Sequence, residues 1–512
     1  MSKRNKTEKH RHPLMSYVFM ILIVIVLSGF LQLLDTQSTF YKINSTNLNL
    51  IPQTEIVNSL FNLTGIKYIF TNTVANFANF TVLSNLIIIL MGIGIMDKSG
   101  FLQTTITLTT KKLKKKTVTF TFVLLCIISS VIGDLSYLVF IPLGALLFYY
   151  GKRNPAIGVI CAFASLSCGS ALNVIFTSTD SALLGYTTLA AQTVNSSYAI
   201  SNLSFFFIMT VAVLLISYMI TVVTESITVR KVPKYEFSES ELEEDIVTRS
   251  EQKGMVYACF AGILYLLIFI YNIIPGLPLS GALLDNTQIN YIDKLFSVDS
   301  FFSNGFVFIL TMFFIILGLF YGIGSKSIKS QRDFCDSLGH SLDGIGNMLV
   351  LIFFASTFIS IFKQTNIGDT IIAFIGNIIS SADFVGLPLI ILVFVLVAIA
   401  TFFVPSSTTK WFMLSSTVVP VMMEAGITPE FSQIIYRFSE TSVMNLTPLL
   451  AYFIVYLAFL QKYNQSENKI KLIETFKYQW PYTIVTFLVL LAIIIVWYII
   501  GMPLGIDAFP TN

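Results

Sequence analysis

One stretch limits this chain more than any other: Thr401 to Pro448, TFFVPSSTTKWFMLSSTVVPVMMEAG followed by ITPEFSQIIYRFSETSVMNLTP. Apolar sequence long enough to be membrane-embedded lies on both sides. Yet the stretch holds Pro405, Pro420, Pro429 and Pro448, a polar run from Ser406 to Lys410, and the charges Arg437 and Glu440. A lipid-facing helix cannot carry this. Broken helices are tolerated at membrane depth only where they are buried in protein or line a wet cavity. An ionisable group there is a functional-site hypothesis by default. The stretch reads as half of a binding site.

Of the 512 residues, 55% are hydrophobic and 12% charged, and the mean hydropathy is +0.78. Soluble domains carry about 25% charged residues. Repeated apolar runs of about 18 or more residues therefore predict an all-α polytopic membrane protein. Cys126, Cys161, Cys168, Cys259 and Cys335 lie in or beside apolar segments without metal-ligand spacing and read as packing residues. His10, His12 and His340 form no cluster, so no metal centre or cofactor is expected. No small-residue cleavage site follows the first apolar run, which reads as a span, not a signal.

Basic residues set the topology. The N-terminal MSKRNKTEKHRHP, TTKKLKKK at 109–116, Lys152 with Arg153, Lys326 to Arg332 and Lys462 to Lys477 are all placed inside. Spans are expected at about 14–34 and 83–96, with the polar 35–75 outside between them, then two across 117–150 with a bend near Gly133-Asp134. Small and polar residues crowd 156–190, which predicts a re-entrant inward hairpin near 156–180 and then an interrupted span. Further spans are expected at 202–223, 255–274, 301–321, 385–403, 431–460 and 482–500. The segment 344–382 reads as one span out and an incomplete return. Residues 1–224 form a first membrane half, 225–253 a cytoplasmic linker with a solvated acidic run at 239–245, and 254–512 a second half with an outward hairpin near 405–428. Paired interruptions of this kind point to an inverted-repeat transporter with its site at the midplane.

Arg437 is the sharpest candidate. An arginine at mid-helix costs roughly 2.5–3.5 kcal/mol on insertion scales, so it should meet an anion. That anion is a substrate carboxylate, which suits the guanidinium fork, or Glu440 one turn later in a structural pair. In the second case, joint neutralisation of Arg437 and Glu440 should restore the protein. Asp180, in a Thr/Ser-rich break, could hold sodium or a proton, or cap the helix that follows. Trp411 could stack on a substrate ring or close a gate, or sit in an interfacial belt. Ser406, Ser407, Thr408 and Asn173 stand at expected hairpin tips, suited to orienting a polar ligand, although such residues also mediate helix packing. Lys410 reads equally as anchor or ligand. A channel would need a continuous polar stripe, and a hydrolase a nucleophile–base pair; neither is present in the sequence. No phosphate loop is present to use ATP.

The segments GDLSYLVFIPLGALLFYYGKRNPAIGVICAFASLSCGSALNVIFTSTDSALLGYTTLAAQ and KWFMLSSTVVPVMMEAGITPEFSQIIYRFSETSVMNLTPLLAYF resemble the two core regions of the AbgT family, the p-aminobenzoyl-glutamate transporters. The resemblance extends from LMGIGIMDKSG to the end of the chain. It implies a homodimer, a fold similar to divalent-anion symporters, and roughly nine spans plus two hairpins, against about eleven spans counted from the residues. It also implies ion-driven uptake of p-aminobenzoyl-glutamate with sodium or proton as coupling ion, or, in some members, export of sulfonamide antimetabolites. Another small carboxylate or dipeptide is a further substrate. No nucleic acid is involved. The family's functional aspartate, tryptophan, proline and arginine fall on Asp180, Trp411, Pro429 and Arg437, and a further proline on Pro448. Two departures stand out: YRFSETS supplies Glu440 where the family has aspartate, and Thr408 stands where a serine is expected.

Overall fold

The computed structural model describes residues 13–238, 247–297, 299–466 and 469–511. Most of the N-terminal basic segment and all of the acidic run at 239–245 lie outside the described residues. Eight helices among the described residues are long and apolar enough to cross a membrane, including Pro13–Leu33, Phe301–Ser325 and Leu472–Ile500. Five shorter apolar helices accompany them, among them Leu135–Tyr150, Pro155–Cys168 and Phe453–Lys462. The count falls below the nine to eleven expected because interrupted paths yield two helices, each too short to span.

The breaks fall where polar and small residues gather. Lys115–Ile128 passes through a 3-10 turn into Leu135–Tyr150, with the bend at Gly133 in a left-handed conformation, φ 62°. Pro155–Cys168 and Ser178–Val194 are separated by an irregular segment at 169–177. Pro429–Val443 and Phe453–Lys462 are likewise separated by 444–452. Pro155–Cys168 packs chiefly on Leu135–Tyr150. Glycines let these two helices touch: a Cβ on Gly158 would lie 2.1 Å from the Gly144 carbonyl oxygen. Close backbone approach of this kind replaces the hydrophobic drive that lipid does not supply.

Not all of the chain is helical. Residues 35–75, read as a polar outside stretch, contain an antiparallel hairpin of Gln37–Ile43 and Leu50–Ile56, with Gln37 opposite Ile56 and Ile43 opposite Leu50. The strand alternation is faint because only Ser38 and Phe40 point inward. Pro52 is tolerated as it would be at a sheet edge. The hairpin is held by Asn377, which donates to Ser38 Oγ at 3.0 Å, and by Phe40 against Phe412.

The two ends of the bundle collect the loops that charge patterning groups together. At one end Tyr150 donates to Asp97 (2.6 Å), His340 stands 3.6 Å from Asp97, Asn154 binds the Pro233 carbonyl, and Gln465 clasps the Glu236 backbone at 2.8 and 2.9 Å. At the other, Asn58 N binds Thr365 O, Thr428 binds Phe509 O and Phe207 N binds Leu504 O. Helix Ile345–Gln364 therefore runs from one end to the other, and Ile367–Ser380 begins at the second end.

Two expectations need correction. The helix Phe206–Val223 continues through a π turn to Lys231, because Glu225 is held by Arg153 at 2.7 Å and Thr119 at 2.5 Å. The helical path thus covers 225–231, the first part of the stretch read as a linker. Cys126, Cys161 and Cys168 are buried, but Cys259 and Cys335 are exposed and do not pack inside the protein.

Candidate functional site

The helix Pro429–Val443 is buried along its whole length, although it carries Glu430, Ser432, Gln433, Arg437, Ser439, Glu440, Thr441 and Ser442. Thr428 caps it, accepting from Phe431 N at 3.3 Å, and Pro429 takes the first helical position, where its missing N–H costs nothing. A polar helix enclosed by protein must find its partners there. It finds them on the helix Ser178–Val194 and on the helix Ser407–Glu424.

Asp180 is the third residue of Ser178–Val194 and belongs to a capping box with Thr177 as the N-cap. Its Oδ2 accepts from Thr177 N (3.0 Å), Thr177 Oγ1 (2.7 Å) and Asn173 Nδ2 (2.9 Å). That leaves Oδ1 for the Arg437 Nη2, at 2.9 Å. One carboxylate thus both starts a helix and pairs with an arginine 257 positions away. Arg437 Nη1 donates to Glu440 Oε1 at 3.1 Å, so the local pair forms as well. Arg437 Nε has no hydrogen-bond partner.

Glu440 connects the third helix. Its Oε1 also accepts from Ser407 Oγ at 2.9 Å, and its Oε2 lies 3.2 Å from Lys410 Nζ. Lys410 Nζ donates onward to Thr401 Oγ1 at 3.1 Å. Lys410 and Glu440 are 0% exposed, Arg437 2% and Asp180 8%. The cluster holds two cations and two anions, so it is neutral. Each buried ion costs several kcal/mol to desolvate, which only close, hydrogen-bonded pairing offsets.

Trp411 lies inside the protein, fully buried, not in an interfacial belt. Its Nε1 donates to Thr187 Oγ1 at 2.8 Å, and Thr187 in turn donates to Gln433 Oε1 at 2.6 Å. Its ring packs on Tyr436, centroids 4.4 Å apart, and Tyr436 donates to the Ser407 carbonyl at 2.5 Å. A cavity of about 60 Å³ opens against Asn173, Asp180, Gln433 and Arg437, with Phe176, Phe205, Phe206 and Ile434 as its apolar wall. It is far smaller than the about 300–1,000 Å³ of a typical small-molecule site.

The structure thus brings Asn173, Asp180, Ser407, Arg437 and Glu440 together, with Trp411 beside them. It does not bring in Ser406 and Thr408, which lie at the start of Ser407–Glu424, where Ser406 accepts from Thr409 N as the N-cap. Pro429 is eight residues from Arg437, about 12 Å along the helix. Pro448 lies past its far end, in the break at 444–452. Two residues were missed, and Lys410, open between anchor and ligand in the sequence, joins the cluster. Gln433 stands one turn before Arg437 on the same helix face, a spacing that could have found it. Thr187 gave no such signal, since its partner Gln433 lies 246 positions away; the ion partner of Lys410 lies 30 positions away.

A multi-span helical protein that encloses a neutral charge cluster beside a cavity, at the junction of two interrupted helical paths, is built as a membrane transporter. The profile of the "AbgT putative transporter family" matches residues 5–511. The chain belongs to that family. It is similar to the p-aminobenzoyl-glutamate transport protein of Escherichia coli (strain K12), at 24% identity over 499 residues, covering 98% of this chain and 94% of the relative. It is also similar to the Alcanivorax borkumensis YdaH transporter, whose structure is described as having an unusual topology: 24% identity, TM-score 0.48, covering 97% and 100% of the two chains. A third similarity is to Neisseria gonorrhoeae MtrF, described among antimetabolite efflux pumps: 26% identity, TM-score 0.47, covering 98% of each chain.

Proposed function

We propose that this transporter carries a small aromatic carboxylate, p-aminobenzoyl-glutamate in the first place, driven by a sodium or proton gradient. The observation that carries this reading is the ion pair of Arg437 with Asp180 beside the cavity. A substrate carboxylate that takes the guanidinium displaces Asp180 from it. The neutral cluster then holds one negative charge in excess for each substrate carboxylate, two for p-aminobenzoyl-glutamate, which is expensive at membrane depth. A cation that neutralises Asp180 removes one of these charges, which favours entry of substrate and cation together. The aromatic wall suits the aminobenzoyl ring. The E. coli relative's name points to the same substrate.

Asp180 already uses Oδ2 for Asn173 and Thr177, so a proton or sodium would meet Oδ1 once Arg437 turns to substrate. The small cavity requires the Ser407–Glu424 hairpin or the 202–206 loop to move before a ligand of this size enters. The two halves with hairpins entering from opposite faces, the N-terminus and the 232–248 linker in the cytoplasm, residence in the cell membrane and a homodimer complete the reading. Uptake of radiolabelled p-aminobenzoyl-glutamate into proteoliposomes, with imposed sodium or proton gradients, tests it. Accumulation that needs one gradient is expected. Uptake indifferent to both, or outward movement of sulfonamides with no p-aminobenzoyl-glutamate flux, would replace it.

A further inference from the structure

We propose that Lys410 is the built-in cation of the second half: its ammonium permanently fills a small-cation site formed by Glu440 and Thr401, so the mobile coupling ion is taken at Asp180 alone.

Lys410 is fully buried, which is rare for lysine unless it is paired. It also sits in the first turn of the helix Ser407–Glu424, where the helix dipole disfavours a cation. Neither membrane position nor helix preference explains it. Glu440 does. Oε2 of Glu440 accepts no hydrogen bond, and Lys410 Nζ at 3.2 Å is its ion partner. Thr401 Oγ1 completes the cradle at 3.1 Å. A carboxylate oxygen and a hydroxyl are the hard oxygen donors that a small cation takes, and here the chain supplies that cation itself.

The two carboxylates therefore differ. Glu440 has Arg437 on one oxygen and Lys410 on the other. Asp180 has Arg437 on Oδ1 and neutral donors on Oδ2. When a substrate carboxylate draws Arg437 away, Glu440 keeps a full counter-charge and Asp180 keeps none. The assignment of the coupling ion to Asp180 rests on the transport reading above; the role of Lys410 toward Glu440 does not.

The test is thermal melting of the purified full-length protein in mild detergent, followed by intrinsic fluorescence at equal ionic strength. Choline, which is too large for the cradle, is compared with ammonium, methylammonium and sodium. Lys410→Ala opens the cradle. Its midpoint should fall by several degrees in choline and recover in at least one small cation, more than the wild type gains from that cation. Lys410→Met fills the space with uncharged bulk and should be lowered without recovery. Lys410→Met with Glu440→Gln removes both charges and should be more stable than Lys410→Met alone, with no cation response. The double variant keeps the test decisive if Lys410→Ala cannot be purified. A Lys410→Ala protein as stable as wild type in choline, or a double variant less stable than Lys410→Met, would overturn the proposal. Melting does not depend on transport. If the wild type proves not to be gradient-driven, these results still decide what Lys410 does.

Discussion

Arg437 is the residue whose removal tests the charge count most directly. Arg437→Gln takes one cation from a cluster of two and two, and leaves Asp180 Oδ1 and Glu440 Oε1 without their 2.9 and 3.1 Å partners. Breaking a buried pair from one side costs about 3–5 kcal/mol, so the single variant should express poorly. The local pair suggests Glu440→Gln as the compensating change. The structure rejects this: that change strands Lys410, which is 0% exposed, and leaves Asp180 uncompensated. The matched neutralisation is Arg437→Gln with Asp180→Asn, which keeps the Lys410–Glu440 pair. It should recover folded yield through a coupling of about 0.5–3 kcal/mol. Recovery of fold does not bring recovery of binding. Without the guanidinium, loss of a desolvated charge pair of about 2–5 kcal/mol means about 30-fold to several-thousand-fold weaker binding at about 1.4 kcal/mol per decade. Arg437→Lys should also fail, because a point charge cannot reproduce the fork. Detergent-purified yield, melting midpoint and equilibrium binding of radiolabelled p-aminobenzoyl-glutamate measure all four variants. Normal binding in a well-expressed Arg437→Gln protein, or rescue by Glu440→Gln instead of Asp180→Asn, would refute the reasoning.

Asp180→Asn alone breaks the same buried pair from the other side, so its folded yield should fall as that of Arg437→Gln does, and the protein that does purify should show no gradient-driven uptake; unchanged uptake per folded protein would remove it from coupling. Trp411→Phe keeps the ring against Tyr436 but loses the bond to Thr187, and should lower transport rate more than folded yield, with Thr187→Val giving the same loss; full activity in both would exclude a role for this bond. Single cysteines at 112 or 234 should resist an impermeant thiol reagent added outside intact cells, and efficient labelling of either would invert the topology. Crosslinking and native mass measurement in mild detergent should give a dimer; a strictly monomeric, active species would discard that expectation.

How much was legible depends on the kind of signal. Helix ends were readable where a local rule acts, as at the Gly133 bend; the Arg437 helix, expected over 431–460, starts at Pro429 and breaks at 444–452. Three of the loops that charge patterning groups, at 152–153, 326–332 and 462–477, have contacts that place them at one end of the bundle. Asp180 and Arg437 were found because a charge in apolar sequence is expensive wherever it points. Their pairing was not, since nothing local connects positions 257 apart. The β-hairpin was missed because membrane helices, not a solvent-shielded sheet, cover its one inward face, and two inward side chains leave almost no alternation to read. Lys410 was undecided for a similar reason. A lysine beside tryptophan in an apolar run is what an interfacial anchor looks like, and only Glu440 in space tells the two apart.

The cluster also explains why these four charges stand on three separate helices. Two charges on one helix, such as Arg437 with Glu440, satisfy each other in every arrangement of the protein and so cannot report a change. Asp180 on Ser178–Val194, and Lys410 on Ser407–Glu424, make the same partners depend on how the three helices meet. Any separation of Ser178–Val194 from Pro429–Val443 breaks the Asp180–Arg437 contact, and any withdrawal of Ser407–Glu424 breaks Lys410–Glu440 and Ser407–Glu440 together. With little hydrophobic force between helices in lipid, such polar contacts are among the few that can hold one arrangement closed. On the proposed reading, a ligand carboxylate at Arg437 would weaken the first contact while leaving the second intact. Occupancy of the cavity would then become a preference for which helix pair opens, which is what alternating access requires.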